Sequence, residues 1–292
     1  MTTMRAERIP TALSAAVAAA LVALAVTASG LSAPVRAQAL QGLRGGDQPL
    51  EITADEGIEW RRNEQLYIAR GNPWAKRGDV EIFAEVMSAH YAKTPGGDTD
   101  IDRIDVEGNV RIMTPTETVY GDRGAYDVVN GILVLVGENL RLIGQNGRIT
   151  ARDSLEYWEK KNMAVARGDA VAVREDNEIR ADVLTAHFRE GSDGGLELER
   201  VEGHGNVEVT SPTEYARGDR GTYFIGREFA TLTGDVRITR EENQLNGQYA
   251  EVDMKTGVSR LLAAPPGAAP SGSTRVEGLL VPRRKPTEGR AP

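Results

Sequence analysis

Carboxylates are the side chains in this sequence best suited to chemistry. Glu117 and Asp122 recur downstream as Glu214 and Asp219, and two such groups could act as acid and base on a glycosidic bond. The three histidines, His90, His187 and His204, are the other groups able to move protons near neutral pH or to ligate a metal. Arg-Gly-Asp, at 77–79, 167–169 and 217–219, has the composition of an adhesion motif, but each copy reads as a repeat turn. The duplication of these groups decides how they are read. GNVRIMTPTETVYGDRGAY (108–126) is matched by GNVEVTSPTEYARGDRGTY (205–223), with eleven of nineteen positions identical at an offset of 97. His90 and His187 share that offset. A catalytic constellation is normally single, so copied candidates point to scaffold. No catalytic residue, metal or cofactor is expected: no His/Cys/carboxylate cluster has ligand spacing, and no Ser/His/Asp set, P-loop or dinucleotide fingerprint occurs. A polysaccharide-acting β-solenoid enzyme is the alternative that the carboxylates keep open.

The copied segments belong to a longer duplication. ITADEGIEW (52–60) aligns with ITARDSLEY (149–157), RGNP (70–73) with RGDA (167–170), and IFAEVMSAHY (82–91) with IRADVLTAHF (179–188), all 97 residues apart. Residues 52–148 and 149–245 are thus two copies of one superunit. Inside each, a small residue recurs at Ala54, Ala84, Gly121, Ala151, Ala181, Gly218 and Gly247. A Gly followed by Asn, Asp or Glu recurs at Gly71, Gly108, Gly137, Gly168, Gly205 and Gly234. The chain therefore divides into about seven repeats, mostly ~30–37 residues each, the last incomplete.

Those residues need elements to hold them. Val80 and Ile82 fall on one face with Glu81 opposite, and Ile104, Val106, Val110 and Ile112 follow the same alternation. Period two in Val, Ile, Tyr and Thr predicts half-buried strands, and the Gly-Asn and Gly-Asp pairs predict turns between them. Nothing in 50–262 sustains a helical period, so the fold class is all-β, an array of short strands. Such a stack buries its core against neighbouring repeats and ends in two open strand edges. Edges of this kind suit a head-to-tail assembly.

Composition agrees. Only 5% of residues are aromatic while 32 are Gly, which favours many turns over a bulky core. A net charge of −8 argues against nucleic acid as a partner. Residues 1–39 have the pattern of a signal peptide: Arg5 and Arg8, an Ala-rich apolar run, then AQA at 37–39. A retained anchor is the alternative for this segment. Cysteine is absent, so neither disulfides nor thiolate sites are available. The span 263–274 reads as a Pro/Gly/Ala/Ser linker, 275–282 as a possible final strand and 283–292 as a disordered basic tail.

DQPLEITAD (47–55), the repeated GNV and GDV, and the terminal RVEGLLVP (275–282) together resemble the LptA/OstA-like family of periplasmic lipopolysaccharide transport proteins. The resemblance covers about 47–282. It implies an open twisted β-jelly roll over residues 40–262, elongated here by the 97-residue duplication. It also implies a periplasmic bridge that carries lipopolysaccharide from inner to outer membrane, with the lipid A acyl chains in an apolar groove. The implied partners are lipopolysaccharide, the inner-membrane and outer-membrane transport components, and further copies joined head to tail. A stand-alone lipid chaperone is the alternative within the family. Leu50 and Ile52 would lie on the N-terminal strand, at the mouth of the groove and the docking edge. Ile112, Tyr126 and Val128 would lie on interior or rim strands. Ile52, Ile82, Ile149 and Ile179 would line the walls, with Ala54, Ala84, Ala151 and Ala181 leaving room for chains. Seven units at about two strands per sheet would span ~65–70 Å.

Overall fold

The computed structural model describes residues 50–93, 99–145, 147–191, 195–253, 255–256, 258–267 and 275–281. The expected signal peptide, much of the linker and the basic tail lie outside the described residues. Among the described residues twenty antiparallel strands follow in order. β1 is Glu51–Thr53, β2 Gly57–Arg61, β3 Leu66–Arg70, β4 Trp74–Arg77, β5 Val80–Phe83, β6 Val86–Lys93 and β7 Thr99–Met113. β8 is Glu117–Asp127, β9 Ile132–Val136, β10 Arg141–Gly144, β11 Gly147–Thr150, β12 Ser154–Trp158 and β13 Met163–Arg174. β14 is Asn177–Glu190, β15 Leu196–Thr210, β16 Tyr215–Phe224, β17 Phe229–Arg240, β18 Asn243–Asp253, β19 Val258–Leu262 and β20 Glu277–Leu279.

The strands build two ladders. One runs β1, β4, β5, then through parts of β7, β8, β10, β11, β13–β18 to β20. The other runs β2, β3, β6, then through the remaining parts of β7, β8, β9, β12, β13–β18 to β19. Each ladder has fourteen strand segments, which at ~4.8 Å apart makes a roll about 60 Å long. The chain passes from ladder to ladder along one corner. The hairpin tips of both ladders lie away from it, and no described pairing joins the two rows of tips. The roll is therefore seamed along one side: an open twisted β-jelly roll, as the family resemblance implies.

The duplication is visible in the register. Ile52 pairs with Ala75 and Ile149 with Ala172, while Ile82 pairs with Ile112 and Ile179 with Val209. Each second pairing is the first moved by 97 residues.

Two local expectations change. Many strands are long rather than short, with β7 and β15 running fifteen residues each. The reason is that most Gly-Asn and Gly-Asp pairs are bulges inside strands rather than turns between them. Gly108-Asn109, Gly168-Asp169, Gly205-Asn206 and Gly234-Asp235 all have positive φ, and the ladder register shifts at each. Two successive left-handed residues bend a strand sharply without ending it. The corner carboxylates fix the bend. A Cβ at Gly205 would overlap the Asp182 carboxylate, and Asn206 Nδ2 donates to the same carboxylate at 3.0 and 3.1 Å. Glu85 stands in that place for Gly108 and bonds Asn109, and Asp219 stands there for Gly234. Of the Arg-Gly-Asp copies, 77–79 lies at the β4–β5 turn, 167–169 spans a corner bulge and 217–219 lies within β16.

Candidate functional site

The interior is the candidate site, and its form follows from strand pairing. Directly paired residues point to the same face of a sheet, so inward residues line up in rows across the strands. In the first ladder one row runs Ile52, Ala75, Ile82, Ile112, Val119, Leu142, Ile149, Ala172, Ile179, Val209, Ala216, Ile238, Leu245. No polar side chain interrupts it. The second ladder answers with Ile58, Ala69, Met87, Val106, Gly124, Leu135, Leu155, Ala166, Leu184, Gly203, Gly221, Leu232, Ala250, Leu261. The two rows merge in one apolar cluster along the roll.

Five of the sequence-predicted residues, Ile52, Ile82, Ile112, Ile149 and Ile179, thus share a single row. Leu50, Ile52, Ile82, Ile112 and Tyr126 also line the two cavities at the β1–β2 end, of about 50 and 30 Å³. Ala84, Ala151 and Ala181 are buried in the cluster, with Ala54 and Val128 packed at its border. The small residues do not stand over open space. Gly121 lies against Leu135 and Leu140, and a Cβ at Gly218 or Gly247 would come within 2.8 Å of Leu232 or Leu261. Of the facing row the sequence reading marked only Val106 as inward, and it did not place Arg77, Ile104 or Leu133 in the cavity lining. Alternation marked Ile104 and Val106 as inward, but sequence alone does not say which ladder faces which.

Nearer the seam the second ladder carries a row with Tyr67, Ile104, Tyr126, Leu133, Tyr157 and Tyr223. Tyr126 donates its hydroxyl proton to Glu159 at 2.8 Å. Burial, then that bond, pushes its pKa well above the usual phenol value. Tyr223 is 1% exposed, and its hydroxyl has no hydrogen-bond partner among the described residues. Burial pushes it up to about 12. The duplicated tyrosines therefore sit in unlike surroundings, and Thr256 occupies the position equivalent to Glu159. At the β2 end, Trp60 stacks on Tyr67 with centroids 5.6 Å apart and donates to the Tyr91 hydroxyl at 2.9 Å.

The chemistry-bearing groups all have places in the scaffold. Asp122 accepts a hydrogen bond from the Glu138 backbone at 2.8 Å, which closes the corner at Gly137. Glu117 and Glu214 stand at matching hairpins closed by Thr114 and Ser211, whose hydroxyls accept from their backbone N–H groups. Burial raises the pKa of Glu117. For Glu214, burial raises it to about 7, opposed in part by Arg240, and its Oε2 has no partner among the described residues. His90 lies 3.1 Å from Asp105 and His187 3.3 Å from Glu202, again 97 residues apart. His187 Nε2 lacks hydrogen-bond alignment at that distance. Burial works to raise Glu202, but Arg200 and His187 hold its carboxyl below the ordinary value. Among the described residues no three potential ligands converge on a metal-sized site, and no helix is long and apolar enough to cross a membrane.

A profile described as the LptA/(LptD N-terminal domain) LPS transport protein family matches residues 51–153 and again 148–258. The chain belongs to this family. Its two matches start 97 residues apart, the offset of the internal duplication, so the chain carries the family domain twice in tandem. An uncharacterized protein of Rhizobium meliloti (strain 1021) is 30% identical over 174 residues, covering 58% of this chain and 93% of that protein. Among solved structures, LptH of Pseudomonas aeruginosa, the LptA homologous periplasmic component of the lipopolysaccharide transport device of that organism, aligns with a TM-score of 0.39 and 23% identity. That alignment covers 47% of this chain and 96% of LptH. Family members are transport proteins, which agrees with carboxylates and histidines that serve the scaffold.

Proposed function

We propose that this protein is a periplasmic bridge that carries lipopolysaccharide from the inner to the outer membrane, with the acyl chains lying along its interior rows. The observation that carries this reading is the pair of unbroken apolar rows, through thirteen of the fourteen strand segments of the first ladder and all fourteen of the second. A closed globular core needs no such continuity, whereas a chain that must slide gains from a surface of one polarity, at roughly 25 cal/mol per Å² of apolar contact. Leu50, Ile52, Ala54, Ile82, Ala84, Ile112, Tyr126, Val128, Ile149 and Ile179 are the proposed lipid contacts. The cavities at the β1–β2 end are each well below the ~150 Å³ of a cavity that admits a single benzene ring. Admission of lipid therefore requires the two ladders to part at the seam, turning about the bulged corner.

The ends favour head-to-tail assembly. Among the described residues β1 pairs only with β4 and β2 only with β3, and at the far end β19 and β20 pair only with β18. Both ends expose large apolar side chains: Ile58 and Trp60 at one, Val258, Leu279 and Leu280 at the other. The inner-membrane and outer-membrane transport components would dock on the same edges. The test is purified protein carrying a photo-crosslinker at Ile52, mixed with lipopolysaccharide. Capture of lipid is expected, and persistent absence of an adduct at Ile52 and at Ile112 would sink the reading.

A further inference from the structure

Arg174 ends β13 on the inward face, in step with Ala170 and Ala172. It is only 8% exposed, and among the described residues no hydrogen bond or ion pair holds its guanidinium. Arginine keeps its charge in a protein, so the inner rim carries a positive charge with no direct ion-pair partner among the described residues. Its neighbours across the row are small. Glu117 pairs with Gly144, and Gly144 with Gly147. A Cβ at Gly147 would in turn meet the Val173 backbone oxygen at 2.6 Å and the Cβ of Arg174 at 3.5 Å, so only glycine fits there. The two glycines present bare backbone, so Glu117 and Arg174 bound a notch three strand spacings wide, ~14 Å. Gly147 is exposed, and the notch therefore opens at the seam. One pair deeper lies the apolar floor of Leu142, Ile149, Ala172 and Ile179. The first superunit has no such notch, because Leu50 stands at the position equivalent to Gly147. The exposed Glu175 and Asp176 lie in the following turn.

We propose that this notch is an anion-binding point, in which Arg174 takes a phosphate group on the head of the carried lipid while the chains rest on the floor below. The inference rests on the lipid-carrying reading and adds a point of registration midway along the roll. A guanidinium donates two parallel hydrogen bonds to a phosphoryl group, and the apolar floor below it takes the chains.

The experiment compares binding of lipid A with its phosphates, the same lipid dephosphorylated, and inorganic phosphate alone. Each is measured on the wild type, Arg174→Gln and Gly144→Leu. The last variant fills the notch without touching Arg174, since a Cβ there meets its neighbours at an ordinary 3.7 Å. The wild type should prefer the phosphorylated lipid by roughly tenfold or more. Both variants should lose that preference while keeping wild-type affinity for the dephosphorylated form. Equal binding of both lipids by the wild type, or a preference that survives Arg174→Gln, would overturn the notch and leave the carrier reading intact. Binding of neither lipid would contradict the carrier reading itself. Inorganic phosphate that fails to displace the lipid supports the headgroup as the source. Inorganic phosphate that binds alone and is lost in Arg174→Gln would replace it with a free-ion site.

Discussion

At the residue scale, the duplicated tyrosines offer a controlled comparison. Tyr126→Phe removes a hydroxyl that donates to the Glu159 carboxylate and should cost about 1.5–3 kcal/mol. Tyr223→Phe removes a buried hydroxyl without a hydrogen-bond partner among the described residues and should be neutral or slightly stabilising. Denaturant melts of the two variants check the contrast. Glu214 gives a second test. Its folded pKa of about 7 lies above the ordinary 4.5, so the folded state holds the proton more tightly than the unfolded chain. Stability should then fall as pH rises from about 4.5 to about 7 and stay reduced above that. Glu214→Gln should flatten this slope and raise stability at pH 8 by about 1–3 kcal/mol, read from melts across pH. A variant that is less stable than the wild type at pH 8 would contradict the burial argument.

At the scale of elements, the bulged corner is the device that lets one strand serve two ladders. Gly205→Ala puts a Cβ on a left-handed residue and into the Asp182 carboxylate, and should cost more than about 2 kcal/mol. Gly226→Ala, where nothing lies within 4 Å, should change stability by less than about 0.5 kcal/mol; thermal melts of both decide it. The corner also shows where sequence reading stops. Alternation in Ile82, Ile104 and Ile112 revealed strands and inward faces, because period two is a local property. Gly-Asn reads the same in a hairpin and in a bulge, since both use left-handed residues. Only the pairing of Glu107 with Arg123 and of Val110 with Gly121 shows that the strand runs on. The same limit applies to the site. Ile52, Ile82, Ile112, Ile149 and Ile179 were legible as inward residues. Their facing row, Ala69, Met87, Val106, Leu135 and the rest, depends on how the roll closes, and no spacing encodes that. Arg174 was invisible for the same reason: it is an ordinary arginine until the ladder turns it inward over two glycines.

At the scale of the molecule, the duplication lengthens the roll without adding a new kind of surface. Because the register repeats at 97 residues, deleting 149–245 joins Arg148 to Asn246 in phase. The shortened protein should fold cooperatively as a roll with fewer strands and a lower melting temperature, measured by circular dichroism. A molten or aggregated product would show that the two superunits are not interchangeable. The open ends predict growth of linear oligomers with concentration, and Ile52→Asp on the edge strand β1 should stop it; sedimentation of both proteins reads the mass directly. The central claim, that lipid travels along the interior, is tested most directly by photo-crosslinkers placed in cells at Ile52, Ile112, Ile149 and Ile179, with the outward, exposed Arg148 as control. Lipopolysaccharide adducts should form at all four interior positions, from the end to the middle of the roll, and not at Arg148. Adducts confined to Arg148, or absent from the mid-roll positions Ile149 and Ile179, would contradict it.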